Sequence, residues 1–239
     1  MEELLLAWFA EEGRDLPWRR TRDPYAVLVS EVMLQQTQVD RVVPRYLAWL
    51  ERWPTVEALA GASPADVIRQ WQGLGYNRRG LNLHRAARRI RADGWPDDLT
   101  QLPGVGPYTA AAVRCFALGE AVLPVDVNVA RVQRRTGAAF TARSAGALMD
   151  MGATICLARV PRCGECPLAA ACPSRGIREE PQRKQGQFEG SFRQRRARLL
   201  RAIVDEPRRL SDLDPDAVRS LERDGLVVVR DELVTLPLD

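Results

Sequence analysis

Two side chains are nearly missing from this 239-residue chain. Of its 35 lysines and arginines only Lys184 is a lysine, and His84 is its one histidine. No lysine Schiff base can therefore form within the first 183 residues. Histidine-based triads and His-rich zinc sites are nearly excluded as well. His84 follows Leu83 in a helical stretch and reads as a packed or backbone-bonded residue. No apolar run approaches the roughly 18 residues of a membrane span. The start, Met1-Glu2-Glu3, is acidic and lacks a Lys/Arg-led signal peptide. Secretion and membrane insertion are not expected, and a cytoplasmic location is. Internal repeats and low-complexity tracts are also lacking.

What is present suits a folded protein. Hydrophobic residues make up 46% and charged residues 28%, enough for a packed core and too apolar for global disorder. The length fits one large or two modest domains. The net charge is +4 and the pI near 9.0. Arginine's planar fork suits phosphate, although a GC-rich genome is the commoner source of such a bias.

Apolar residues recur at helical spacing in Leu4–Phe9, Tyr25–Leu34, Val42–Leu50, Val67–Trp71, Leu81–Ile90, Thr109–Leu118, Val127–Thr136 and Ala147–Cys156. Asp23-Pro24 and Ser63-Pro64 read as N-caps with proline at the first helical position. The region to about residue 175 is thus expected to be all-α. Residues 176–190 carry little apolar content and read as a linker. Beyond it, Arg193–Asp205 and Asp214–Asp224 read as helices. Gly225–Arg230 and Glu232–Leu236 read as a hairpin turning near Asp231. Helix, helix, hairpin is a small winged-helix-like α+β unit over 191–239, suited to touching DNA or a partner, or to capping the core.

Four of the five cysteines, Cys156, Cys163, Cys166 and Cys172, follow the pattern C-x6-C-x2-C-x5-C. Thiols this close in sequence bind metal or pair as disulfides, and a chain without export signals favours metal. They can hold zinc tetrahedrally or a [4Fe-4S] cluster through one thiolate per iron. Only Cys163 and Cys166 form a C-x2-C knuckle, so the spacing favours iron–sulfur over zinc. Cys115 reads as a small core residue. Earlier, Leu102-Pro-Gly-Val-Gly-Pro107 reads as the turn of a helix-hairpin-helix. Its glycines, Gly104 and Gly106, allow tight turning, and the amides that open the next helix can hold a DNA phosphate.

Together these features resemble the helix-hairpin-helix DNA glycosylases over roughly residues 5–175. The cysteine spacing is similar to that of the endonuclease III and MutY branches. Ser30-Glu-Val-Met-Leu-Gln-Gln-Thr-Gln-Val39 and Gly73-Leu-Gly-Tyr-Asn-Arg-Arg-Gly-Leu-Asn-Leu-His84 resemble the MutY-type adenine DNA glycosylases in particular. The resemblance implies a six-helix barrel domain (23–122) with the hairpin, and an iron–sulfur cluster domain from 1–22 and 123–175. It implies a monomer acting on double-stranded DNA with a mispaired or damaged base, near the nucleoid.

It also implies roles. Glu31, among apolar helical neighbours whose desolvation raises a carboxyl's pKa, becomes the acid that protonates adenine N7. Asp126, on its own an N-cap, becomes the carboxylate that stabilises an oxocarbenium-like sugar. Tyr108 stands where strand-nicking relatives carry lysine, which implies base release without strand cleavage. Gln36 and Tyr76 match positions that enter the base stack of DNA from which a nucleotide is flipped. Trp18, Arg19, Leu34 and Asn128 are expected around the base pocket, with Asn128 supporting Asp126. Arg159 and Arg162 are expected on phosphate. Typical MutY-type proteins carry a second domain that senses 8-oxoguanine, and the residues after the linker do not resemble it. Gly146 and Val125-Asp-Val-Asn128 also depart from the commoner pattern. These departures bear on which base is removed, with thymine or uracil in mismatches as the alternative. A protein that docks on DNA without catalysis is the reading least consistent with Glu31, Asp126 and Tyr108 together.

Overall fold

A computed structural model describes residues 1–180 and 186–238. Most of the expected linker is described, but its stretch 181–185 lies outside those residues. The chain divides into two compact units. One comprises 1–27 and 106–184, the other 28–105 and 185–239.

The first unit contains α1 (Glu2–Glu12), a 3-10 turn Pro17–Arg19 and the opening of α2 (Pro24–Leu34). The chain returns to it with α7 (Pro107–Phe116), α8 (Val127–Thr136) and α9 (Ala145–Asp150). Helix α9 runs on as one π-helical stretch, Met151–Ile155. Asp126 caps the start of α8, and Gly137 ends it in the left-handed conformation at φ 65°. Val129 and Val132 of α8 share a buried core with Leu5, Leu148, Met151 and Leu168. Against that core lie Cys156 and Cys166. The π stretch crosses α8 closely at Gly152, where a Cβ would stand 2.7 Å from Cβ of Asn128. Asp150, 1% exposed, accepts from the backbone N–H of Arg14 (2.9 Å), from Arg14 Nε (2.8 Å) and from both terminal nitrogens of Arg19 (2.8 Å each). Burial pushes its carboxyl up, but the Arg19 and Arg14 hydrogen bonds outweigh that and hold it below the ordinary carboxylate range.

The second unit holds the rest of α2, then α3 (Val39–Arg52), α4 (Val56–Ala60), α5 (Pro64–Gln70) and α6 (Arg78–Asp93). Trp49 packs edge-on against Trp53 and Trp71, with centroids 4.7 and 5.4 Å apart. Ser63 caps α5 as its sequence suggests, accepting from the Asp66 amide at 3.1 Å. The C-terminal segment follows with α10 (Phe192–Asp205), β1 (Arg208–Arg209), α11 (Pro215–Arg223), β2 (Val228–Arg230) and β3 (Leu233–Thr235). Its strands form an antiparallel sheet in the order β1-β3-β2, with Val229 opposite Val234. The hairpin turns through Asp231 and Glu232, at φ 48° and 59°. This segment has no separate core. Leu199, Leu200, Ile203, Val218 and Leu221 join Ala65 and Ile68 of α5 and Leu81 of α6 in one buried cluster. Capping α5 and α6 is therefore one thing the segment does. Among the described residues no helix is long and apolar enough to cross a membrane.

Candidate functional site

Asp126 ends an extended approach and opens α8, so its side chain meets the free amides of the first turn. Its Oδ1 accepts from the backbone N–H of Asn128 (2.9 Å) and Val129 (2.7 Å), and its Oδ2 from Asn128 Nδ2 (3.0 Å). Asn128 is fixed in turn, since its Oδ1 accepts from Arg131 at 2.8 Å. Buried Arg131 also donates to the carbonyls of Gly152 and Cys156, each at 2.7 Å. The half-buried Asp126 carboxylate is thus held in one orientation by a chain that reaches the start of the cysteine loop. Val125 and Val127 flank it and are exposed, Val127 at 72%. Tyr108, in the first turn of α7, is half-buried.

Glu31 lies in the second unit, in a stretch of α2 whose residues 25–33 are all buried. At 6% exposure it is not the solvated surface residue that a glutamate on a helix usually is. Just beyond α2 comes Gln36, exposed, with φ 57°. Tyr76 has φ 45° and is also exposed, at the end of a turn that contains Gly73 and Gly75. Leu34 is half-buried at the end of α2.

In the hairpin turn Gly104 has φ 80° and a Cβ there would stand 2.8 Å from Cβ of Asn82, so only glycine fits. Gly106 is extended and caps α7 without a side-chain bond, while Pro107 fills the first helical position. The amides of that first turn are the kind of group that accepts a phosphate.

All four loop cysteines line one largely apolar recess with Val132, Met151 and Leu168. Arg135, 3% exposed, donates to Cys156 Sγ (3.5 Å), to the carbonyls of Leu157 (2.8 Å) and Ala158 (2.9 Å), and to Glu179 (3.0 Å). Cys172 donates to the Arg135 carbonyl, and Cys163 accepts from the Gly176 amide. The Cys166 thiol is pushed up by burial and further by the other three cysteines. Among the described residues no three histidine, cysteine or acidic side chains are placed to share one metal ion. Four cysteines lining one recess are the donor set that a [4Fe-4S] cluster takes, one thiolate per iron. Cys115 is elsewhere, with its thiol on the Ala142 carbonyl.

The remaining expected site residues have defined places. Trp18 is buried in the 3-10 turn, and Arg19 beside it is committed to Asp150. Arg159 and Arg162 are exposed and paired with Glu180 and Glu165. His84 is buried with Nε2 unpartnered, and burial lowers its pKa, as befits a packed imidazole. Arg79, Arg131, Arg135 and Asp150 did not stand out in the sequence. Arginine is so abundant that no local signal marks the few that are buried.

Comparisons with known proteins agree with this architecture. The family model described as HhH-GPD superfamily base excision DNA repair protein matches residues 29–150. Adenine DNA glycosylase of Mycolicibacterium smegmatis is 43% identical, covering 84% of this chain and 79% of that one. The human adenine DNA glycosylase is 39% identical, over 74% of this chain and 40% of its own. Among solved structures, a thermostable thymine-DNA glycosylase matches with a TM-score of 0.66 and 28% identity, covering 72% of this chain and 94% of that one. A trapped endonuclease III–DNA covalent intermediate matches with a TM-score of 0.62 at 21% identity, over 72% of this chain and 92% of its own, and shares the fold. With a mostly helical fold of this kind and a family match over half its length, the chain belongs to the HhH-GPD superfamily of base excision DNA repair proteins.

Proposed function

We propose that the protein is a monofunctional adenine DNA glycosylase that removes adenine mispaired with 8-oxoguanine or guanine. The observation that carries this reading is the contrast between its two acids. Glu31 is buried in an apolar helix, whereas Asp126 is half-exposed and fixed by three donors. One is suited to deliver a proton, the other to face positive charge. The protonated Glu31 carboxyl gives its proton to adenine N7, and the C1′–N9 bond breaks with its electrons leaving on the base. Asp126 stabilises the oxocarbenium-like sugar, water adds at C1′ and gives up a proton that restores the Glu31 carboxyl, and an abasic site remains. Tyr108 replaces the lysine that a strand-nicking enzyme would need, and the first 183 residues contain no lysine at all. The relatives' names support adenine as the base.

Cys156, Cys163, Cys166 and Cys172 would hold a [4Fe-4S] cluster. When bound, it cross-links a loop that has little regular structure of its own. This chain's part is to set Arg131 and Arg135 against that loop and to point Asn128 at Asp126. The partner is double-stranded DNA, bound by a monomer in the cytoplasm.

The test is single-turnover base release from duplexes carrying A opposite 8-oxoguanine, A opposite G, and T or U opposite G. Abasic sites are revealed with alkali, and Glu31→Gln serves as control. Release of adenine alone, lost in the variant, with strands intact before alkali, is the expected result. Release of uracil alone, or of thymine alone, the base in the name of the thymine-DNA glycosylase neighbour, would move the substrate and keep the fold.

A further inference from the structure

The most heavily used side chain in the second unit is Arg79, in the first turn of α6. Its NH1 donates to the carbonyls of Val32 (2.8 Å), Met33 (3.1 Å) and Gln35 (2.5 Å). Its NH2 donates to Thr37 Oγ1, Leu74 O and Gly75 O, each at 3.1 Å. Its guanidinium carbon also lies near two rings, 5.4 Å from the Trp71 centroid and 5.7 Å from that of Tyr76. Thr37 completes the knot, because its hydroxyl also reaches the Leu74 carbonyl at 3.3 Å. One guanidinium thus ties the carbonyl end of α2 and the segment 35–37 to the turn 73–76.

Those two segments carry Gln36 and Tyr76, two of the four non-glycine residues with positive φ among the described residues. Such backbone is strained and persists only where its surroundings over-determine it. Here the surroundings are Arg79. Both strained residues are exposed, so the strain secures no core packing. It aims two large side chains outward in fixed directions. The clamp contains no carboxylate among its hydrogen-bond partners, and a planar fork with five donors is the one side chain that can satisfy this many carbonyls at once. Trp71, beside the clamp, also explains Gly80, where a Cβ would stand 2.8 Å from the indole.

We propose that Arg79 is a positioning residue that presets Gln36 and Tyr76 to enter the base stack, so that base extrusion needs no reordering of either loop. The proposal rests on the glycosylase reading given above. It predicts that Arg79 acts through those two side chains and through little else.

Two variants test it, Arg79→Ala and Arg79→Lys; the lysine keeps the charge and removes the fork. In the cluster-loaded, DNA-free protein, hydrogen exchange at amides 35–38 and 74–77 should rise about tenfold or more in both, with exchange in α8 unchanged. With DNA, 2-aminopurine fluorescence should report weaker extrusion. Single-turnover release from the duplex that the wild type cleaves should fall about ten- to a hundredfold. Affinity for undamaged duplex should hold within about twofold. In a Gln36→Ala/Tyr76→Ala background, adding Arg79→Lys should cost nothing further. Full rescue by lysine, unchanged exchange, or an equal loss in the double-alanine background would each overturn the proposal. If the wild type releases no base from any duplex, the glycosylase reading fails, and the exchange measurement alone decides whether Arg79 is the clamp.

Discussion

The cysteine loop is organised around the buried Arg135 and the two strained turns around the half-buried Arg79, yet the two arginines are solvated in opposite ways. Burial opposes the charge of Arg135, but Cys156 and Glu179 beside it outweigh that and raise its pKa. Burial also opposes the charge of Arg79, whose hydrogen bonds end on carbonyls and one hydroxyl, and its pKa falls to about 10. Charge is balanced by charge in the first unit and by dipoles in the second. A charge pair is strong and tolerant of small shifts, whereas carbonyl dipoles reward only the one geometry that serves them all. The first arrangement suits a loop that must be held together. The second suits turns that must be held in one pose.

The largest effect expected from breaking this comparison falls on Asp126, a charge held by amide and side-chain donors. Asp126→Asn keeps an N-cap of similar quality, so thermal stability should change little. The negative charge that the proposed reaction sets against the sugar is lost, and single-turnover base release should fall by about a hundred- to a thousandfold. A stability loss matching the activity loss would mean that the residue is only a cap.

Next is Asp150. Asp150→Asn leaves Arg14 and Arg19 without their shared carboxylate and should cost about 3–5 kcal/mol in chemical denaturation. The pH dependence follows from the direction of the shift. The folded carboxyl titrates below its ordinary value of 3.8, so its contribution is complete above that pH. It is lost as pH falls from about 3.8 through the folded value. The wild type should therefore lose stability in that acid window more steeply than Asp150→Asn does.

Much of this organisation is legible in the sequence, for identifiable reasons. Helical periodicity locates α6 and α8, because each buries one face along its length, whereas α2, buried all round over 25–33, is marked by a long apolar run. Asp126 and Ser63 announced their caps through side chains that compete for free amides. The five residues of α4 went unmarked, since they span too few turns to show a period. The two-residue β1 is defined only by its partner β3. That the C-terminal segment shares a core with α5 and α6 is a non-local fact that no window reveals. The burial of Glu31 reverses what its residue type suggests, and only the surrounding motif pointed that way. Arg79 and Arg135 are invisible for a different reason. Their partners are mostly backbone carbonyls, which every residue has.

Glu179 gives a smaller and sharper test of the charge-balanced side. It accepts from Arg135 Nε at 3.0 Å and pairs also with Arg134. Burial raises its pKa, but the hydrogen bonds and charges of Arg134 and Arg135 outweigh that, for a net decrease. Glu179→Gln should cost about 1–3 kcal/mol, the penalty for hydrogen bonds to charged groups. It should also quicken loss of the visible absorbance of the loaded protein in mild denaturant, since Arg135 would lose its carboxylate while still donating to Cys156.

The smallest effect is at Ser63, whose hydroxyl caps α5 beneath the C-terminal segment. Ser63→Ala should cost about 1 kcal/mol. Because Ala65 and Ile68 of α5 lie in the same core as Leu200 and Val218, that loss should appear in α10 and α11 as well as in α5. Hydrogen exchange that rises together in the three helices is the expected result. A rise confined to α5 would show that the C-terminal segment opens on its own, and that its shared core is not a cooperative one.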